Sequence, residues 1–166
     1  RAAAEFERQQ ATQALEALNR DLESRIQQRT AELQASEHAL QDSQTLLQLV
    51  MDNLPQAVFW KDQDCRFLGC NRQMLKDAGL PSVEAIIGKT DFDMPWHEEA
   101  HLYRTDDREV IASGQPKLNI EEPITKVGNA YRWLRTNKLP LHNASGEVIG
   151  VLGTYEDITD QKALES

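Results

Sequence analysis

Residues 1 to 51 contain neither glycine nor proline, and that absence constrains the first third of the chain more than any motif does. A stretch without either breaker, rich in Ala, Gln, Glu, Leu and Arg, has the composition of one continuous helix. About 50 helical residues span roughly 75 Å. One small domain cannot cover that length, which argues for a partner helix over a helix lying on its own domain. Leu15, Leu18 and Leu22 step by three and four, as the seam of a coiled coil does. Continuing that step would put Arg25 and Arg29 in the seam, whereas a step of four reaches Ile26, then Leu33, Leu40 and Leu47. The seam therefore carries a stutter between Leu22 and Ile26, where a coil unwinds locally. The expected state is a homodimer through a parallel two-stranded coil, weakened by the polar Arg29, Ser36 and Ser43.

Leu54-Pro55 stops the helix, because proline disfavours helical geometry in the residue before it. Ala57 to Asp62 and Cys65 to Cys70 then read as strands around a Gln63-Asp64 turn. Asn71 can cap a short helix holding Met74 and Leu75, which Gly79 ends, and Ser82 can cap a turn over Val83 to Ile87. Trp96 to Ser113 is helical up to Gly114, with Leu102, Val110 and Ile111 as its apolar positions, and Lys117 to Thr125 is a third strand. Ala130 to Leu141 and Gly146 to Thr159 pair as a hairpin through His142-Asn143-Ala144-Ser145. The expected fold is α+β, a five-stranded antiparallel sheet with short helices on one face. Three parts result: a long helix over 1–51, a globular domain over 52–159, and over 160–166 the start of an exit helix toward a further module in the same chain. A start without Met and an end inside a helical pattern read as a piece cut from a longer protein.

The chain is acidic, with net charge -9, and phosphate backbones are bound by clustered Lys and Arg. No nucleic-acid partner is expected on that ground. No apolar stretch approaches the roughly 20 residues that cross a bilayer, so no membrane contact is expected of this part, and there is no secretory signal pattern. Cys65 and Cys70 are the only cysteines; on one strand, five apart, they point to opposite faces and cannot bridge. Their scarcity fits a reducing compartment. The expected location is the cytoplasm, with room for a membrane anchor elsewhere in the parent protein.

Several local sequences, in order, resemble a PAS domain over about residues 44 to 160. They are Leu54-Pro55-Gln56-Ala57-Val58-Phe59-Trp60, Asn71, Gly88-Lys89-Thr90-Asp91-Phe92-Asp93, Asp106 to Val110 with Ser113-Gly114, Trp133-Leu134-Arg135, Gly150 to Thr154, and Asp157-Ile158-Thr159. Leu18 to Leu33 is similar to connector helices between sensor modules of bacterial histidine kinases and diguanylate cyclases. The resemblance implies sheet order 2-1-5-4-3, a ligand cleft between sheet and helices, and signal transfer through helices at both ends. The activity it implies is that of a sensory and dimerisation module in a histidine kinase, or a small-molecule or haem sensor of a diguanylate cyclase, with no catalysis in this fragment.

Flavin photoreceptors of that family carry a reactive Cys where this chain has Thr90-Asp91-Phe92-Asp93, and amides on the last two strands where Leu134 and Leu152 are expected. That argues against flavin. His97 and His101 lie four apart on one helix face, the only haem or metal candidates, but neither falls at the family's axial position and no further ligands accompany them. The remaining cleft candidates are Trp60, Phe67, Met74, Phe92, Trp96, Leu134 and Leu152, an apolar lining that suits a small-molecule ligand and equally a plain core. Asp106 and Asp107, with Arg104 and Arg108 nearby, read as a solvated ion-paired face. For signal transfer, alternation turns Trp133 outward from the sheet, with the helix around Leu40 to Val50 as its expected cover. Asp157, Ile158 and Thr159 join the sheet to the exit helix, the two polar side chains as caps for its first amides.

Overall fold

The computed structural model describes residues 1–125 and 131–165, so the expected strand start at Ala130, and Ser166 at the end of the exit segment, lie outside the described residues. Two units are distinct, Arg1–Leu47 and Gln48–Ser166. The first is the body of helix α1 (Ala2–Asp52), unbroken over 51 residues as its composition dictates. Along it Leu15, Leu18, Leu22, Ile26, Leu33, Leu40 and Leu47 are all exposed.

In the second unit, β1 (Ala57–Asp62) and β2 (Phe67–Cys70) are followed by α2 (Arg72–Ala78), three single 3-10 turns at Val83–Ala85, Asp91–Asp93 and His97–Glu99, and α3 (Ala100–Ser113). Then come β3 (Lys117–Thr125), β4 (Tyr131–His142), β5 (Val148–Asp157) and α4 (Thr159–Glu165). The five strands form one antiparallel sheet in the order β2-β1-β5-β4-β3. The two glycines expected to stop helices do so: Gly79 and Gly114 end α2 and α3 at φ 69 and 66, the left-handed region where a Cβ is costly.

Asn71 is the joint between entry helix and sheet. Its carboxamide oxygen accepts from Val58 N and Met74 N, capping α2, while its amide nitrogen donates to the Met51 and Gln56 carbonyls. Wholly buried, it satisfies the end of α1 and the start of β1 with one side chain, as a buried amide must.

Some local expectations shift. Cys65 precedes β2 in a turn, at φ 62 and buried, so the two cysteines do not share a strand. The Asp62 carboxylate holds that turn by accepting from Asp64 N and Arg66 N. The register slips between Trp60 and Lys61, so that Trp60 pairs with Gly69 and Lys61 with Phe67. Ser82 makes no cap, Trp96 precedes a 3-10 turn rather than lying in α3, and Leu102 is exposed.

Candidate functional site

The inner face of the sheet follows from its register. Phe59 pairs with Gly153, Lys61 with Val151, Leu134 with Asp157, Thr136 with Tyr155 and Lys138 with Gly153. Cross-strand partners share a face, so Phe59, Lys61, Leu134, Thr136, Lys138 and Tyr155 all point toward the helices. With Met74, Trp96 and Tyr103 from the helical half they line a cavity of about 310 Å³ that opens to solvent. Phe59, Phe67, Met74, Trp96 and Leu134 belong to one apolar cluster, in which the Phe59 and Phe67 rings meet edge to face at 5.9 Å.

Beside that cluster lies a buried ionic network. Lys61 Nζ is 2.5 Å from Asp91 Oδ2 and 2.6 Å from Asp107 Oδ2, and Lys138 Nζ is 2.8 Å from Asp107 Oδ1. Lys138 also donates to the Tyr103 carbonyl at 3.1 Å, and Trp96 Nε1 donates to Asp91 Oδ1 at 2.9 Å. Lys61, Lys138 and Asp107 are at most 2 % exposed. Burial works against each charge, but the neighbours outweigh it: Asp91 and Asp107 hold the Lys61 ammonium above the ordinary lysine value, and Lys61 and Lys138 hold the Asp107 carboxyl below the ordinary aspartate value. The network joins β1 and β4 to α3 and the Asp91 turn, so the two walls of the cavity are locked by charge.

Of the cleft candidates, Met74, Trp96 and Leu134 line the cavity. Phe67 lies in the apolar cluster without reaching the cavity. Trp60 and Leu152 pair with each other on the outer face of the sheet, and the Trp60 ring fills the space a side chain at Gly69 would need, 2.3 Å from its Cβ. Phe92 is exposed, with the Arg104 guanidinium 4.6 Å from its ring centre. His97 and His101 are both exposed and do not line the cavity. Asp106 pairs with Lys117 at 3.0 Å as expected of a surface ion pair, but Asp107 is wholly buried, not solvated. The Cys70 thiol, pushed up to about 11 by burial and then by Asp52, is no nucleophile.

At the output end Trp133 is turned outward and 37 % exposed, with the Lys162 ammonium of α4 5.2 Å from its ring centre. Lys162 is also 2.6 Å from Glu121. Asp157 Oδ1 accepts from Thr159 N at 2.9 Å and from the Thr159 hydroxyl at 2.5 Å. The Thr159 oxygen accepts from Trp133 N at 3.0 Å, not from a helix amide, and Ile158 N donates to the Trp133 carbonyl at 2.8 Å. Asp157-Ile158-Thr159 is thus a clasp that fastens α4 to β4 at Trp133, beside Leu134 in the cavity wall.

A sheet of this order with a cleft against its helical face defines a PAS architecture. The PAS fold family matches residues 51–163, and the chain belongs to it. It is similar to a diguanylate cyclase of Vibrio cholerae, 32% identical over 117 residues, covering 70% of this chain and 36% of the cyclase. It is also similar to the virulence sensor protein BvgS of Bordetella pertussis, 26% identical over 138 residues, covering 78% of this chain and 10% of BvgS. The chain thus spans about a third and a tenth of these relatives. Among solved structures, that of the Vibrio cholerae VqmA dimer, a DNA-binding LuxR-type receptor, aligns at TM-score 0.63 and 26% identity over 70% of this chain and 52% of VqmA. VqmA bound to DPO aligns at 0.61 and 25% identity, over 68% and 57%.

The likeness to VqmA corrects the exclusion of nucleic acid. Net charge over a sensory domain describes that domain's surface alone, and VqmA carries a like domain in about half of a DNA-binding chain. The chain is a sensory domain of the kind found in sensor proteins and cyclases. Among the described residues no helix is long and apolar enough to cross a membrane.

Proposed function

We propose that this domain binds a small molecule in its cavity and reports occupancy through the clasp onto α4. The cavity of about 310 Å³ carries the reading, because its wall residue Leu134 adjoins Trp133, whose backbone is tied to Ile158 and Thr159. Tyr155, another wall residue, donates from its hydroxyl to Asp77 of α2 at 2.8 Å and stands two residues before Asp157. A ligand seated against Leu134 and Tyr155 presses on both strands that hold the exit helix. Its effect is a population shift between clasp arrangements, as large as its difference in affinity for the two. The output module that reads it is a kinase, a cyclase or, as in VqmA, a DNA-binding domain.

Native mass spectrometry and calorimetric titration test the reading. Leu134→Trp is expected to fill the cavity and abolish binding. Thr159→Val is expected to leave affinity within about twofold while removing the ligand's effect on output in the full-length protein, since it deletes the acceptor for Trp133 N. Equal ligand affinity in wild type and Leu134→Trp would sink the cavity as the binding site.

A second reading is carried by α1, whose apolar seam is exposed from Leu15 to Leu47. Seven large apolar side chains at coiled-coil spacing call for a second copy of the helix, and the module then relays signals between entry and exit coils. Light scattering is expected to give a dimer, and Leu33→Asp with Leu40→Asp a monomer with its PAS fold intact. A monomeric wild type at tens of micromolar would rule the relay coil out.

A further inference from the structure

Burial does not hold α4 in place. None of its seven residues is buried, and Leu164 is 89 % exposed. The last apolar anchor is Ile158 in the clasp, so from Asp160 onward no buried apolar side chain fixes the helix. A helix of this length is also far below the roughly 12–15 residues at which one stands alone in water. Its position depends on polar contacts.

Those contacts form a strip of charge on the outer face of the sheet. Glu121 on β3 stands opposite Arg135 on β4, and Arg135 opposite Glu156 on β5, so the three side chains share one face. The Arg135 guanidinium lies 3.6 Å from Glu121 and 3.1 Å from Glu156. Two side chains of α4 close onto this strip. Gln161 Oε1 accepts from Arg135 at 3.5 Å, and Lys162 Nζ reaches Glu121 Oε2 at 2.6 Å while facing the Trp133 ring. Lys162 has a second partner inside its own helix, Glu165 at 3.7 Å. Leaving the sheet therefore does not strand the ammonium.

Screening decides between these two partners. The side chains of Lys162, Glu121, Arg135 and Glu156 are between 28 and 37 % exposed, so dissolved ions reach them. Pairs of that kind weaken as the screening length falls from about 30 Å at 0.01 M salt to about 3 Å at 1 M. Salt weakens both pairs of Lys162, but only the pair with Glu121 holds the helix to the sheet. The Lys61, Asp107 and Lys138 side chains are at most 2 % exposed, and buried pairs are screened much less. Salt acts on the strip and spares the core. We infer that the domain takes a second input at α4, the ionic strength of its surroundings, and that rising salt releases the helix from the sheet whatever the cavity holds.

Backbone 15N relaxation of the protein without added ligand tests this, from about 20 mM to about 500 mM NaCl. Order parameters at Gln161 to Ala163 are expected to fall from about 0.85 to below about 0.6, while those of β4 and β5 stay rigid. Sucrose at equal osmolality should leave α4 ordered. Lys162→Ala, which removes an exposed side chain, should be mobile already at low salt and indifferent to more. Lys162→Arg, which keeps the charge, should follow the wild type. A helix still rigid at high salt would overturn the inference, as would equal loosening in sucrose or a wild-type salt response in Lys162→Ala. Loss of order in β4 and β5 together with α4 would overturn it too, since salt would then be opening the whole domain.

Discussion

Asp107→Ala is expected to destabilise the domain by about 3–5 kcal/mol, because it leaves Lys138 buried without a counter-charge and Lys61 with half of its own. Asp107 is wholly buried and touches both ammonium groups, at 2.6 and 2.8 Å. Urea unfolding should show the loss as a lower midpoint with an unchanged m-value. The companion variant Lys61→Met/Asp91→Asn/Asp107→Leu/Lys138→Met, which removes the charges together and keeps an acceptor for Trp96 Nε1, should recover much of it, since a buried ionic cluster contributes less than its half-broken remnant costs. The pH dependence has a definite sign. The folded Asp107 carboxyl is held below its unfolded value, so its stabilisation is present above the unfolded carboxylate range and is lost as pH falls through the folded value. Lys61 is held above its unfolded value, so its share is present at and below the unfolded lysine range and disappears as pH rises through the folded value. Stability should be flat between those ranges in the wild type, with an acid limb that Asp107→Asn makes smaller, since the Asp157 carboxyl is also held low. A loss under about 1 kcal/mol for Asp107→Ala would mean that the network is solvated.

That network marks the boundary of what the sequence discloses. The long helix, the strand order and the stops at Gly79 and Gly114 rest on local rules, namely the absence of breakers, the family resemblance and left-handed glycine caps. Those rules need no knowledge of distant partners. Leu134 was assignable because alternation along one strand is local. Leu152 was not, because its face depends on which residue of β5 stands opposite Lys61. That residue is Val151, and a slip of one sends a whole strand's side chains to the other face. Trp60 fails for the same reason. Asp107 was misread because its neighbours in the helix include Arg104 and Arg108, while its true partners lie on strands remote in sequence. A signal was present nonetheless. Asp107 falls in helical register with Ala100, Tyr103 and Val110, on an inward face, and Lys61 and Lys138 alternate in phase with Phe59 and Leu134. Three charges at inward positions demand one another. The nucleic-acid exclusion failed differently, since charge counted over one domain carries no information about the rest of a receptor.

Gly150→Ala is expected to cost roughly 3 kcal/mol, for a reason also invisible in the sequence. A Cβ at Gly150 would lie 1.9 Å from the Lys61 carbonyl oxygen, 3.0 Å from its carbon and 3.2 Å from the Asp62 Cα. Every atom it meets is backbone of the neighbouring strand, so no rotamer change relieves the contact, and β1 and β5 must part where they pair. Parting them moves Lys61, whose ammonium is fixed between Asp91 and Asp107, so the cost adds to strain in the buried network and the effects of Gly150→Ala and Asp107→Ala should be non-additive. Gly153→Ala is the informative contrast. There the Cβ meets the Phe59 ring at 2.1 Å, and a ring can turn where a strand cannot. Turning sends it into the cavity, so Gly153→Ala should cost less stability, about 1–2 kcal/mol, yet weaken ligand binding. Thermal unfolding of the two variants beside titration of the cavity ligand checks both halves. The expected order is Gly150→Ala least stable and Gly153→Ala weakest in binding among folded proteins. The reverse order of stability would mean that the side-chain core, and not the close approach of β1 and β5, sets the limit on this sheet.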